Sequence, residues 1–238
     1  MIFIRSLLFN VAFYLWTSVM FLLSLPALLL PAGAVWGLGR VWVCGTMLLL
    51  RLFVGLTHEV RGLAHRLPGA ALYAVKHQSA WDTLVFALLL DRPAIVLKQE
   101  LLNLPLFGWY MRKCRMIPVN RKGRAAALKR MAADARDRAA AGRPILIFPE
   151  GTRVAPGQRR PYQPGAAALY GALGLPVVPV ALNSGLFWGR RSFHKRPGRI
   201  VVEFLPPIAP GLDRRIFMAQ LEAAIETAAD RLAGIALR

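Results

Sequence analysis

The sequence predicts an α/β fold: a mixed, largely parallel sheet flanked by helices, preceded by an N-terminal helical membrane hairpin. Three observations carry that prediction. From Glu59 onward, short apolar runs alternate with segments of helical period, the pattern of strands joined by crossover helices. Between Arg5 and Arg40 there is no charged residue. The 238 residues suffice for one sizeable domain with a small appendage.

Taking the chain in order, Ser6 to Leu25 alone matches the roughly 20 apolar residues that cross a bilayer core as a helix. Pro26 and Pro31 interrupt the run, and a second apolar stretch extends from about Val35 to Leu56. A secretory signal with Ala32-Gly33-Ala34 as cleavage site is the competing reading. The first run exceeds the 7–15 residues of an ordinary signal core, however, and a second apolar segment follows it. Arg40, Arg51, Trp36 and Trp42 suit an interfacial helix as well as a spanning one, so crossing and entry into one leaflet both stay open. The expected division is a hairpin over 1–57 and an α/β domain over 58–238.

Strands are expected near 70–76, 94–98, 115–119, 144–148, 177–182 and 200–204. The clearest helix runs from Arg124 to Ala141, with Leu128, Met131, Ala132, Ala135 and Ala139 in one stripe and Gly142 as its stop. Another follows Asp213 as cap, with Phe217, Leu221, Ala224, Ile225, Ala228 and Leu232 on one face. The first 60 residues carry three arginines and one glutamate; the other 28 basic and 11 acidic residues follow. A body so basic calls for an anionic partner: lipid head groups, a phosphorylated substrate, an acidic carrier protein or nucleic acid. Cys44 and Cys114 offer neither a disulfide framework nor metal-ligand spacing, which fits a reducing compartment. His58, His65 and His194 form no metal motif, and none is expected.

The strand at 70–76 runs into Lys76-His77-Gln78-Ser79-Ala80-Trp81-Asp82-Thr83, and a helix is expected over Leu84 to Leu90. Positions five apart do not share a face of a regular helix, so His77 and Asp82 meet only if His77 precedes the helix and Asp82 lies in its first turn. Two readings stand. Ser79 as N-cap with Asp82 three residues on resembles a capping box. Alternatively Asp82 fixes the imidazole tautomer so that the other nitrogen of His77 can take a proton.

Ile145 to Phe148 reads as a buried strand entering the loop Pro149-Glu150-Gly151-Thr152-Arg153. Ligands collect where loops leave the carboxyl ends of such strands. Gly151 permits close backbone approach, and the Arg153 fork suits a phosphate, although an ordinary turn with a surface Glu and Arg fits the same residues. Lys98 and Arg121 also end strand-like runs, as part of one pocket or of a solvated basic rim.

Together these stretches resemble the glycerolipid acyltransferase family, the bacterial 1-acylglycerol-3-phosphate acyltransferases in particular, over roughly residues 59–205. His77-Gln78-Ser79-Ala80-Trp81-Asp82 resembles its His-x4-Asp block, and Lys98, Pro105-Leu106-Phe107-Gly108 and Arg121 its second. Phe148-Pro149-Glu150-Gly151-Thr152-Arg153 resembles the third, and Val178-Pro179-Val180 the fourth. Asn120 and Val154 depart from the usual pattern. The resemblance implies that His77, oriented by Asp82, acts as base on a glycerol hydroxyl that attacks a thioester of coenzyme A or acyl carrier protein. It implies substrate contacts from Lys98, Arg121, Glu150, Gly151, Thr152 and Arg153, with Glu150 orienting Arg153 or an acceptor hydroxyl. The acceptor would be lysophosphatidic acid, the setting membrane lipid on the cytoplasmic face of a bacterial inner membrane, and no cofactor beyond the donor is implied. No Gly-x-Ser-x-Gly elbow is present to make an acyl-enzyme. The alternatives are another lysolipid acceptor, such as lyso-ornithine lipid, and a non-catalytic basic protein tethered to the membrane. Without an interleaved aromatic–basic stripe or helix-turn-helix signature, nucleic acid is not expected as a partner.

Overall fold

A computed structural model describes residues 1–121 and 123–234. Its strands are β1 (Leu56–Arg61), β2 (Leu72–Val75), β3 (Ala94–Lys98), β4 (Ile117–Val119), β5 (Ile145–Ile147), β6 (Val177–Leu182) and β7 (Gly198–Phe204). They form one sheet in the order β1-β7-β6-β2-β5-β3-β4. The five strands from β6 to β4 are mutually parallel; β7 runs antiparallel to β6, and β1 parallel to β7. The sheet is mixed and largely parallel, as expected.

The helices are α1 (Ile2–Leu23), α2 (Ala32–Leu49), α3 (Trp81–Leu89), α4 (Phe107–Lys113), α5 (Arg124–Ala140), α6 (Pro164–Leu173) and α7 (Arg214–Ala233). Alternation along β2 assigns them to two layers. Tyr73 and Val75 face a core shared with Phe9 of α1 and Trp81, Val85 and Phe86 of α3. Leu72 and Ala74 face Met131 of α5, Leu169 of α6 and Phe217, Leu221 and Ile225 of α7. The stripes expected on α5 and α7 are the faces buried here. Asp213 caps α7 by accepting hydrogen bonds from the N–H groups of Arg215 and Ile216.

Six of the seven strands lie where the sequence places them. β1 does not, because Thr57, His58 and Glu59 lack the apolar alternation of a buried strand; at the sheet edge they need only be half covered. The second apolar stretch, expected to reach Leu56, divides: α2 continues as a π-helical turn, Leu50–Val54, and Gly55 at φ 75° closes it before β1. The short helices α4 and α6 carry no long apolar period and have no counterpart in the sequence reading.

The segments Ile2–Leu23 and Ala32–Val54 are long and apolar enough to cross a membrane by length and composition. They are not a free anchor. A Cβ on Gly45 would lie 2.4 Å from the Trp16 ring, so only glycine allows this helix approach. The Trp16 indole donates to the Trp42 carbonyl and the Trp42 indole to Thr17. Inward, Phe9, Leu50 and Val54 complete the core of the α/β layer, and the Tyr110 hydroxyl donates to the Phe21 carbonyl. Outward, Leu7, Leu8, Val11, Leu15, Val19 and Leu22 are exposed along α1.

Candidate active site

The five parallel strands end on one edge, which carries, in sheet order, Ser184, His77, Glu150, Lys98 at the last position of β3, and Arg121. Asp82, fully buried in the first turn of α3, organises the loop after β2. Its Oδ2 accepts from His77 Nδ1 at 3.0 Å and from the N–H groups of Gln78 and Ser79 at 2.7 Å each. Its Oδ1 accepts from the Ser184 hydroxyl at 2.5 Å. A carboxylate only accepts, so Nδ1 carries the ring hydrogen and Nε2 is the nitrogen available to a ligand.

A single carboxylate therefore serves both the turn and the imidazole. Asp82 closes the entrance of α3 by taking the Ser79 N–H, while Ser79 Oγ accepts from Trp81 N. The cap itself falls at Ala80, one residue later than expected for Ser79. The same oxygen that satisfies the turn holds the imidazole. The ring stacks on Phe148, with centroids 4.0 Å apart and planes 24° from parallel, and the His77 carbonyl accepts from Val154 N. The loop after β6 joins the assembly where Gly185 N donates to Gln78 Oε1.

His77 lines a cavity of about 500 Å³ together with Thr83, Lys98, Arg121, Gly151, Thr152 and Arg153. Its apolar part comes from β3 and the turn after it, α5 and β5, including Ile95, Leu101, Leu128, Met131 and Ile147. Arg153 is half-buried and forms no ion pair among the described residues. Burial lowers its pKa, Asp82 nearby offsets part of that, and Arg190 and Arg191 push it lower. Lys98 is about half exposed and pairs with Glu100 at 3.1 Å, and Arg121 is exposed; both belong to the cavity wall and also to its solvated rim. Asn120, one of the departures from the expected pattern, lines the cavity as well. Gly151 has φ 66°, so the turn itself requires glycine there.

One expected site residue turns away. Glu150 is 1 % exposed, and its two oxygens are taken by the Lys76 ammonium at 2.7 Å and the His77 N–H at 2.9 Å. It neither orients Arg153 nor lines the cavity; burial raises its pKa, and Lys76 and the His77 N–H draw it back. Residues that sequence reasoning missed complete the arrangement: Lys76 behind His77, Ser184 on Asp82, and Arg190 and Arg191 on the wall. A lysine closing an apolar strand and two adjacent arginines were visible signals. Ser184 was not, since it reaches Asp82 from 102 positions away.

Comparison with known proteins bears on this geometry directly. A 1-acyl-sn-glycerol-3-phosphate acyltransferase of Pseudomonas aeruginosa is 36% identical over 165 residues, 69% of this chain and 64% of that protein. One from Limnanthes alba is 31% identical over 156 residues, covering 65% of this chain and 55% of its own. The chain thus spans less than two thirds of the length of either relative. The crystal structure of the 1-acyl-sn-glycerophosphate (LPA) acyltransferase PlsC from Thermotoga maritima superposes over all of both chains with a TM-score of 0.80 at 20% identity, a likeness of fold. The family model described as Acyltransferase matches residues 58–183, from within β1 to the end of β6. That match runs through His77, Asp82, Lys98, Arg121 and Arg153 and covers more than half of the sequence, and by it the chain belongs to the acyltransferase family.

Proposed function

We propose that the protein transfers a fatty acyl group from a thioester, on coenzyme A or acyl carrier protein, to the sn-2 hydroxyl of 1-acylglycerol-3-phosphate, giving phosphatidic acid. The observation that carries this reading is the pairing of His77, held through Nδ1 by Asp82, with an unpaired half-buried Arg153 on the same cavity wall. His77 Nε2 takes the proton of the acceptor hydroxyl as its oxygen attacks the thioester carbon. The carbon–sulfur bond of the tetrahedral adduct then breaks, and the leaving sulfur recovers that proton from the imidazolium. Asp82 stabilises the imidazolium and keeps the ring in place between the two transfers. Arg153, with Arg121 and Lys98 at the rim, holds the acceptor phosphate, and the apolar part of the cavity takes an acyl chain.

The exposed apolar side of α1 and the basic body support work at the cytoplasmic surface of a bacterial inner membrane, where the acceptor resides in the bilayer. The test is turnover by the purified full-length protein in liposomes, with lysophosphatidic acid and phosphate-free lysolipids as acceptors and both thioesters as donors. Phosphatidic acid formation from lysophosphatidic acid at the highest kcat/KM is expected. Faster turnover of lyso-ornithine lipid or another phosphate-free acceptor would reassign the substrate, and no turnover of any acceptor would leave a non-catalytic binding protein.

A further inference from the structure

Behind His77, on the side away from the cavity, lies a sealed ionic cluster. Lys76 is 2 % exposed, and Nζ contacts three carboxylate oxygens: Glu150 Oε1 at 2.7 Å and both oxygens of Glu226 at 2.8 Å. An ammonium has three hydrogens, so all are used within the protein. Glu226, 3 % exposed, belongs to α7 and also accepts from the Tyr162 hydroxyl at 2.9 Å, with Arg159 3.5 Å away. Glu150 passes the chain of contacts on through its second oxygen to the His77 N–H at 2.9 Å.

Stability alone is a poor account of this cluster. Desolvating an ammonium and two carboxylates costs several kcal/mol per ion before their attraction is counted, and apolar residues of similar volume often stabilise a core as well or better. Around it, α7 packs with Phe217, Leu221 and Ile225, so an apolar solution was at hand. The cluster ends on the backbone of the histidine that faces the ligand. Lys76 and His77 follow β2 directly, and the Lys76 N–H still donates to the Val180 carbonyl, so the alternation of the strand carries on: Lys76 reaches toward α7 while His77 presents its ring to the cavity.

We infer that Lys76 and Glu226 are positioning residues for His77: they clamp Glu150 against the His77 N–H, so the last helix fixes the base from behind. Asp82 holds the ring and the Lys76–Glu150–Glu226 cluster holds the backbone, giving His77 two independent anchors. The inference rests on His77 acting as the base. Nothing in the cluster reaches the cavity, so its loss acts on the chemical step and not on substrate binding.

The experiment compares the full-length proteins E226Q, K76M and H77A in detergent, reading kcat, KM for each substrate and the melting temperature. Misplacing a reacting group by about 1 Å costs up to roughly 100-fold, so K76M should lower kcat about 10- to 100-fold. E226Q keeps the Lys76–Glu150 pair, and its expected loss is smaller, about 3- to 10-fold by the same argument. Both KM values should stay within about twofold for each variant, because ground-state binding is untouched. E226Q retains one complete ion pair and carries the test if K76M does not fold. A kcat per folded enzyme within twofold of the parent in E226Q, or a loss expressed in KM, overturns the inference. The H77A arm stands apart: retention of more than about a tenth of kcat would remove the base assignment itself, whatever E226Q shows.

Discussion

Lys76 and Arg153 are cations on the loops of two adjacent parallel strands, and the fold treats them in opposite ways. Lys76 is sealed, with every ammonium hydrogen on a carboxylate oxygen of the protein. Arg153 is half-buried on the cavity wall, with no ion pair among the described residues and two further arginines close enough to disfavour its charge. A desolvated charge must find a partner, and the protein provides one only for Lys76. The difference teaches where to look for a ligand. The sealed Lys76 belongs to the protein's own geometry, and the half-buried Arg153 is the cation left for the anionic group proposed above.

The largest expected effect falls on the residues between those two cations. His77→Ala should lower kcat about 10²- to 10⁴-fold with a smaller loss of melting temperature than Asp82→Ala, since it removes one ring and leaves the backbone donors on Asp82 in place. Asp82→Ala should lose activity and stability together, because it strands the His77 ring, two buried backbone N–H groups and the Ser184 hydroxyl. Kinetics and thermal melting of the two variants check this pair. Equal melting losses would mean that His77 is structural too.

Next comes the open side of the comparison. Arg153→Ala should cost about 10- to 100-fold in kcat/KM for lysophosphatidic acid, the worth of a charge-assisted hydrogen bond of about 1.5–3 kcal/mol. Arg121→Ala should cost less, because an exposed arginine binds through water and is screened by salt. Both losses should shrink with a phosphate-free acceptor and leave the donor KM nearly unchanged. Equal losses on both acceptors would break the contrast by removing the phosphate from the role of Arg153.

A smaller effect is expected from Arg190 and Arg191, exposed on the loop after β6. Replacing both with alanine should reduce turnover severalfold at low salt and less at about 0.5 M, since exposed charges are screened over a few ångströms there. Turnover at the two ionic strengths measures it, and a salt-independent loss would place these arginines in direct contact with substrate.

The smallest effect tests whether α7 acts through stability alone. Asp213→Ala removes its N-cap and should cost about 1 kcal/mol of stability, with kcat per folded enzyme unchanged. Thermal melting and normalised kcat separate this outcome from E226Q, where the order should reverse. Should Asp213→Ala lower kcat as E226Q does, α7 would reach the site through its fold and not through Glu226.

Local patterns in the sequence determined the α/β class, six of the seven strands, the stripes of α5 and α7, and the two apolar segments before them. Each is a property of contiguous residues, written in period 2, in period 3.6 or in unbroken apolarity, and needs no knowledge of the partner. The same holds for His77 and Asp82: a turn and a helix start are enough to bring them together. What only the tertiary structure decided is which groups meet across long separations. It placed β1 at the sheet edge, where polar residues suffice, and brought Ser184 to Asp82. It turned Glu150 away from Arg153 toward Lys76 because Glu226, 150 residues from Lys76, closes the cluster from α7. Charges carry no period, and their partners are chosen by burial: a lysine at a strand end reads as a surface group until the fold covers it.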